Sequence, residues 1–516
     1  MPEGSHLIGE DGMPLPPGVN ERDFTAALGE FRRVVGDDWV FSSDEDVNLY
    51  RDAYSPFLNE PEDPVPSAAI APQSTEHVQE CVRIANRYGL PLWAISTGKN
   101  LGYGGSAPRV SGSVMIDLKR MDRVIEISET NHYALVEPGV SYFDLYREIQ
   151  SRGLKVWIDP PDPGWGSLVG NSLERGGGYT PMRDHFAAQC GMEVVLPNGE
   201  LLRTGMGALP GAETWQQYNY GFGPYLDGIF SQSSLGIVTK MGVWLLPEPE
   251  AYRRGTVSVA TNEALVPLME EINYLMNSNT AQGTLRLQSA LAAFDDANVS
   301  EGWAADLQFY GPDKVVDAQW EHAQDRIRTR IPQATFIDGP KHRFPLSEEE
   351  IAGMANAVPL GIPGLSAFQF GAGENQGHLW FAPIIPMTGE AILEAVNVLS
   401  QALAELGVPA SALIPPQSYF PRSIVIFVGF PITADTETNR QTRETYRQLV
   451  KLAAEHGWGE YRTHIAFMDE VMECYSFNDH VLRRFHEQMK DSIDPNGVLA
   501  PGKNGIWPAR WRDQRA

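Results

Sequence analysis

The chain is poor in cysteine and in positive charge, and it has no long apolar run. Its 516 residues include three cysteines, Cys81, Cys190 and Cys474. They are too few and too scattered for a disulfide framework or a CxxC motif. Sparse, odd-numbered cysteines fit a reducing compartment, so a cytoplasmic protein is expected. Lysine and arginine number 40 against 66 aspartates and glutamates, a net charge of −26. That balance excludes the basic face that nucleic acid or an anionic membrane demands. No stretch approaches the roughly 20 apolar residues that cross a bilayer. Met1-Pro2-Glu3-Gly4-Ser5-His6 has neither the basic residues nor the apolar core of a secretory leader. The Gly/Pro-rich tract to about Val19 is expected to be disordered. No histidine, cysteine or carboxylate set has metal-ligand spacing, and no period of 20–50 residues marks a repeat architecture.

What is present is enough apolar residue, 42%, to build two to three domains' worth of core. The first half alternates short strands and helices. Ala68 to Ala71 and Leu90 to Ile95 read as strands. Between them Ser74 caps a helix whose Val78, Cys81, Val82 and Ala85 share one face, and Gly89 ends it. Tyr133 to Val136 reads as a strand, and Ser141 with Asp144 as a capping box. Met192–Leu196 and Glu200–Arg203 flank the turn Pro197-Asn198-Gly199. Pro247-Glu248-Pro249-Glu250 reads as a boundary. Beyond it the pattern becomes long helices (Asn262–Met276, Pro312–Ile331, Gly389–Leu406, Thr436–His456) separated by strands such as Ser423–Phe430. This predicts an α+β module with an antiparallel sheet. A further helix through Phe485 precedes the turn-rich end, Asp494 to Gly505.

Four glycine-rich segments carry the chemistry. The first, Ser96-Thr97-Gly98-Lys99-Asn100-Leu101-Gly102-Tyr103-Gly104-Gly105, follows a strand. It lacks the GxGxxG spacing that opens a Rossmann helix. The others are Gly164-Trp165-Gly166-Ser167-Leu168-Val169-Gly170-Asn171, Gly176-Gly177-Gly178-Tyr179-Thr180 and Ser233-Ser234-Leu235-Gly236-Ile237-Val238-Thr239-Lys240. Residues without Cβ let backbone N–H groups converge on phosphate oxygens. Several such loops meeting at one place suit an extended dinucleotide. A histidine also sits in Glu374-Asn375-Gln376-Gly377-His378-Leu379-Trp380-Phe381-Ala382-Pro383.

These segments, with Val136-Glu137-Pro138-Gly139-Val140 and Leu499-Ala500-Pro501-Gly502-Lys503, resemble the vanillyl-alcohol oxidase and para-cresol methylhydroxylase flavoprotein family. The eugenol oxidase-like 4-alkylphenol oxidases are its nearest branch, and the resemblance runs from about Leu15 to Pro508. It implies a PCMH-type FAD-binding domain over 20–250, a cap over 251–462, and a C-terminal segment, 463–516, that returns to the FAD domain. Cofactor contacts are expected from Ser96, Thr97, Gly98, Lys99, Asn100, Leu101, Gly102, Gly104 and Gly105 and from Pro138, Gly166, Ser167, Gly170, Asn171, Gly177, Tyr179, Gly236, Ile237, Val238 and Lys503. His378 matches the residue that bonds the flavin 8α-methyl carbon. The first loop has no second histidine, so a single covalent link is expected.

The same resemblance assigns a phenol site. Tyr103, Tyr461 and Arg462 match the donors around the phenolic oxygen. An adjacent guanidinium favours phenolate over phenol, whose ordinary pKa is about 10. Asp162 matches an acid beside flavin N5 and the benzylic carbon, a feature of the oxidase and alcohol-forming branch. Tyr179 matches a pocket-lining tyrosine. The expected reaction is hydride transfer from the benzylic carbon to flavin N5 through a para-quinone methide, with dioxygen reduced to hydrogen peroxide. Substrates would be 4-alkylphenols, 4-allylphenols such as eugenol, or hydroxybenzyl alcohols such as vanillyl alcohol. A dehydrogenase feeding a cytochrome and a non-catalytic flavin- or phenol-binding protein remain as alternatives. A homo-oligomer, a dimer or larger, is expected. Two features depart from the family: Met182-Arg183-Asp184 stands where relatives have Tyr-Gly-Asp, and Leu365 to Gly371, including Ser366 and Ala367, contains no carboxylate.

Overall fold

The first sheet forms where short apolar strands flank a helical crossover. A computed structural model describes residues 14–289, 302–365 and 377–515. Strands run in the order Val40–Phe41, Ala68–Ile70, Val114–Asp117, Leu92–Ile95, the last three mutually parallel. Parallel neighbours need a crossover, and the helix Thr75–Tyr88 supplies one. Ser74 Oγ accepts from His77 N–H, and Gly89 closes the helix in the left-handed conformation. Its buried face carries the predicted Val78, Cys81, Val82 and Ala85.

A second, antiparallel sheet holds Val124–Ser128, Tyr133–Val136, Ile237–Trp244, Gln189–Val195 and Leu201–Arg203 in that order. The buried Glu193 carboxylate fastens it to the crossover helix. It accepts from Thr75 Oγ1 at 3.0 Å and pairs with Lys240 at 2.6 Å and Arg203 at 2.8 Å. The buried carboxylate is thus surrounded by donors, as a charge out of water requires. The capping box at Ser141 and Asp144 opens the helix Tyr142–Ser151 as the sequence suggests.

From Ala251 to Glu460 the chain builds one large antiparallel sheet. Its order is Thr335–Arg343, Ala251–Val259, Trp303–Gly311, Gln282–Ser289, Leu413–Ser418, Ser423–Ile432, Pro383–Pro386 and Gly459–Glu460. Gly377–Phe381 pairs separately with Ser423–Ile432. Helices Asn262–Asn277, Asp313–Arg330, Gly389–Glu405 and Thr436–Glu455 share its apolar core through Leu268, Ile272, Trp320, Leu399 and Tyr446. The α+β class, an FAD-type domain with an antiparallel cap, is the architecture observed.

The last helix runs from Phe477 to Ile493, beyond the expected end at Phe485. Its Lys490 is fully buried. The ammonium donates to Ser234 O at 2.7 Å and Leu499 O at 2.6 Å, and pairs with Asp494 at 2.8 Å. Leu499 then bridges Leu92 in the first sheet. Leu15 and Val19 are buried in that domain's core, which corrects the expectation of disorder up to Val19; residues 1–13 lie outside the described residues. So do Ser366, Ala367 and the Glu374–Gln376 part of the histidine segment. No described helix is long and apolar enough to cross a membrane.

Candidate active site

The four glycine-rich segments converge. A cavity of about 630 Å³ is lined by Ser96, Thr97, Gly98, Lys99, Asn100, Leu101, Tyr103, Gly104 and Gly105 from the first. Pro138, Gly166, Ser167, Gly170, Asn171 and Gly177 line it too, as do Gly236, Ile237, Val238 and Lys503. The same wall holds Asp162, Tyr179, His378, Tyr461 and Arg462. Of the cofactor and substrate residues assigned from the sequence only Gly102 does not line it; Gly102 instead supports the wall from behind.

Close backbone approach explains the glycines. A Cβ at Gly170 would fall 2.4 Å from Ser96 Oγ, so two of the loops touch there. At Gly102, where φ is +79°, a Cβ would fall 2.8 Å from His378 Cδ2 and 2.7 Å from Trp380 Cδ1. The strand Gly377–Phe381 alternates buried and half-buried residues, so His378 and Trp380 point to the same side. Tyr54 and Trp380 flank the imidazole, with ring centroids 4.9 and 5.0 Å away. Burial pushes the His378 pKa down to about 4, against the opposing pull of Asp52. The ring is therefore neutral at ordinary pH, with a lone pair free for bonding.

Asp52 has its own partner. His464 Nδ1 accepts from Ala466 N–H at 3.0 Å, so its proton resides on Nε2 and is donated to Asp52 Oδ2 at 2.7 Å. Both side chains are buried.

Tyr103, Tyr461 and Arg462, the trio expected at a phenolic oxygen, form a cationic corner. The Arg462 guanidinium lies 5.6 Å from the Tyr103 ring centroid and 5.1 Å from that of Tyr461. Arg462 Nε donates to Glu174 O at 2.7 Å. Its Nη2 is buried with no hydrogen-bond partner among the described residues. A buried, unsatisfied cationic donor is costly unless an anion or dipole meets it. Burial raises the pKa of Tyr103 and Arg462 opposes the rise, so Tyr103 keeps its proton and can donate. Tyr461 is already engaged, donating to Arg175 O at 2.9 Å.

Glu174, Tyr419 and Glu460 were not read from the sequence. Lys503 Nζ pairs with Glu174 Oε1 at 2.5 Å. Burial works against the Glu174 charge, but Lys503, Arg462 and Arg175 outweigh it and lower its pKa. Tyr179 and Tyr419 share a hydrogen bond of 3.1 Å. Tyr419 donates its one proton to Gln417 Oε1 at 2.6 Å, so Tyr179 is the donor between them. Glu460 Oε1 accepts from Ala382 N–H at 2.9 Å and Tyr446 OH at 3.1 Å. Its Oε2 is buried without a partner among the described residues, and burial raises the Glu460 pKa to about 8. Trp380 beside His378 was also missed, although strand alternation aligns the two. Arg183 does not line the cavity; its φ of +61° explains why a glycine suits that position.

The cavity therefore combines glycine loops in contact, a neutral histidine and an unsatisfied buried guanidinium, which together fit a flavin dinucleotide and an anionic ring substituent. Residues 66–205 match the FAD binding domain family, and residues 424–504 match the C-terminal domain of FAD linked oxidases. The fold and site thus define an FAD-dependent oxidoreductase. The 4-cresol dehydrogenase [hydroxylating] flavoprotein subunit of Pseudomonas putida is 32% identical, covering 95% of this chain and 97% of its own length. The 4-ethylphenol oxidase from Gulosibacter chungangensis, solved as an isoeugenol complex, is 36% identical with a TM-score of 0.86, covering 96% of this chain and 100% of that one. Substrate-bound p-cresol methylhydroxylase is 32% identical with a TM-score of 0.84, covering 96% and 99%. The chain belongs to the vanillyl-alcohol oxidase and para-cresol methylhydroxylase family of flavin-dependent phenol oxidoreductases.

Proposed function

We propose that this enzyme oxidises 4-alkylphenols at the benzylic carbon and passes the electrons to dioxygen, releasing hydrogen peroxide. The observation that carries the reading is the buried Nη2 of Arg462 beside Tyr103, unpartnered among the described residues. A phenolate oxygen placed there satisfies the guanidinium and gains a charge-assisted hydrogen bond. Bound FAD supplies the hydride acceptor. Removing hydride from the phenolate's benzylic carbon leaves a neutral quinone methide, so Arg462 and Tyr103 stabilise the charge that drives departure. Tyr461 joins them once it leaves the Arg175 carbonyl. Asp162, in the same wall, takes a proton from water as it adds to the quinone methide. The similarity to a 4-ethylphenol oxidase and a 4-cresol dehydrogenase supports the substrate class.

His378 is the covalent tether in this reading. Its neutral ring is the nucleophile required, and Gly102, Tyr54 and Trp380 hold it in one orientation. Lys503, steadied by Glu174, supplies positive charge for the flavin ring. The three cysteines are free, which supports a cytoplasmic location. Exposed Tyr218, Tyr220, Phe222 and Phe477 offer apolar surface for self-association.

A second reading, a dehydrogenase working with a redox protein, is favoured by one observation: the Pseudomonas putida relative is a subunit. Peroxide release in air decides between them. Peroxide stoichiometric with oxidised 4-ethylphenol is expected; turnover only with a dye or cytochrome would establish the second reading instead.

A further inference from the structure

The cap contributes more than a lid of apolar side chains. Arg286 stands on the strand Gln282–Ser289, directly across from Asp306 on one neighbouring strand and Gln417 on the other. Asp306 in turn stands across from Thr256. Directly opposed residues project from the same face of an antiparallel sheet. A polar row, Thr256–Asp306–Arg286–Gln417, therefore crosses the sheet, and its last three members line the cavity.

The row has a loose end. Asp306 accepts from Thr256 Oγ1 at 2.6 Å and lies 3.9 Å from Arg254 Nε. Gln417 Oε1 is taken by Tyr419. Among the described residues the Arg286 side chain forms neither an ion pair nor a hydrogen bond. It is an exposed guanidinium in the cavity wall. Its cross-strand neighbour Gln417 accepts from Tyr419, which in turn accepts from Tyr179, and the Tyr179 hydroxyl lies in the fields of Asp162 and Arg286. This cation is distinct from Arg462, whose neighbours are Tyr103, Tyr461 and Glu174.

We propose that Arg286 forms a second anchoring subsite, which binds a carboxylate at the end of the substrate's para substituent. The proposal rests on the phenol reading, because it is the phenol end at Arg462 that directs the para substituent elsewhere in the cavity. A planar guanidinium with free N–H groups matches a carboxylate's two oxygens. Asp306 and Asp162 on the same wall would repel a dianion, so a single carboxylate fits and a phosphate does not. The chain's net charge of −26 repels anions at long range. Acceptance of an anionic tail therefore depends on this local cation.

The test compares 3-(4-hydroxyphenyl)propanoate, its methyl ester and 4-ethylphenol as reductants of the holoenzyme flavin under anaerobic conditions. The readout is the acid-to-ester ratio of reduction efficiency, which cancels general damage to the site. Arg286→Gln should lower that ratio by about 10- to 100-fold, the usual range for a hydrogen bond to a charged group, and Arg286→Lys, which keeps the charge but lacks the fork, should fall between Arg286→Gln and wild type. An unchanged ratio in Arg286→Gln overturns the subsite. So does failure of the acid to reduce wild-type flavin when the ester and 4-ethylphenol succeed; in both cases the phenol reading stands. If none of the three compounds reduces the flavin, the phenol reading falls and the subsite falls with it.

Discussion

Gly102 and His378 touch across the cavity wall, so closely that a methyl group on Gly102 would fall 2.8 Å from the imidazole Cδ2. The backbone at Gly102, with φ of +79°, also disfavours any side chain. Gly102→Ala should destabilise the fold by about 1–3 kcal/mol, the typical result of overpacking. It should also lower the fraction of flavin retained after acid precipitation, because the imidazole is pushed aside. Full retention with an unchanged melting midpoint would show that the contact relaxes without cost.

If His378 is the covalent tether proposed above, the pH dependence of flavin attachment follows from its depressed pKa. An ordinary histidine is half protonated near pH 6.5 and loses its nucleophile there. His378 keeps its lone pair down to about pH 4. Attachment of FAD to apoprotein should therefore run at a constant rate from neutral pH down to about pH 5. In-gel flavin fluorescence after denaturation measures it. A fall centred on the ordinary histidine pKa would reject this account, and His378→Ala should hold FAD only reversibly.

Arg462 and Asp162 should fail in different ways. Arg462→Ala removes the cation for phenolate and should slow anaerobic flavin reduction by about 10²–10³-fold. Lysine should rescue it poorly, since it lacks the fork. Asp162→Ala should also slow reduction and change the ratio of hydrated to dehydrated product, while phenol binding, followed as a perturbation of the flavin spectrum, stays largely intact. Identical defects in both variants would dissolve the distinction.

Glu460 gives a stability prediction with a definite sign. Its pKa is about 8 in the folded chain against an ordinary 4.5, so the folded state holds the proton more tightly. That contribution is complete below about pH 4.5 and disappears as pH rises through about 8. Glu460→Gln keeps the acceptor for Ala382 and Tyr446 without the titration. The stability of wild type relative to Glu460→Gln should decline from pH 5 to 8 and level off above. A difference independent of pH would mean the carboxyl is ionised throughout.

Much of this was legible because it depends on near neighbours. Ser74, Ser141 and Gly89 act within a turn of their own helix, and the cap helices follow from apolar spacing. The glycine loops and His378 were recognisable as short motifs. What escaped depends on distance along the chain. Glu174 and Lys503 pair across 329 residues, and Tyr179 meets Tyr419 across 240. The position of Arg286 follows from strand register, including the irregularity between Gln282 and Arg286, which composition does not encode. Tyr461 was legible as a residue but not in its bond to Arg175.

The buried Lys490 has a consequence for the order of events in the cell. Its ammonium fastens the Ser234 carbonyl, in a cofactor loop, to Leu499 near the end of the chain. The cavity wall likewise runs from Leu92 to Asn504. A ribosome-bound chain lacking its last few dozen residues has neither the clasp nor Lys503. Cofactor loading should therefore wait until the chain is complete through about Asn504, and a stop before Lys490 should give a protein that forms its sheets yet purifies without colour.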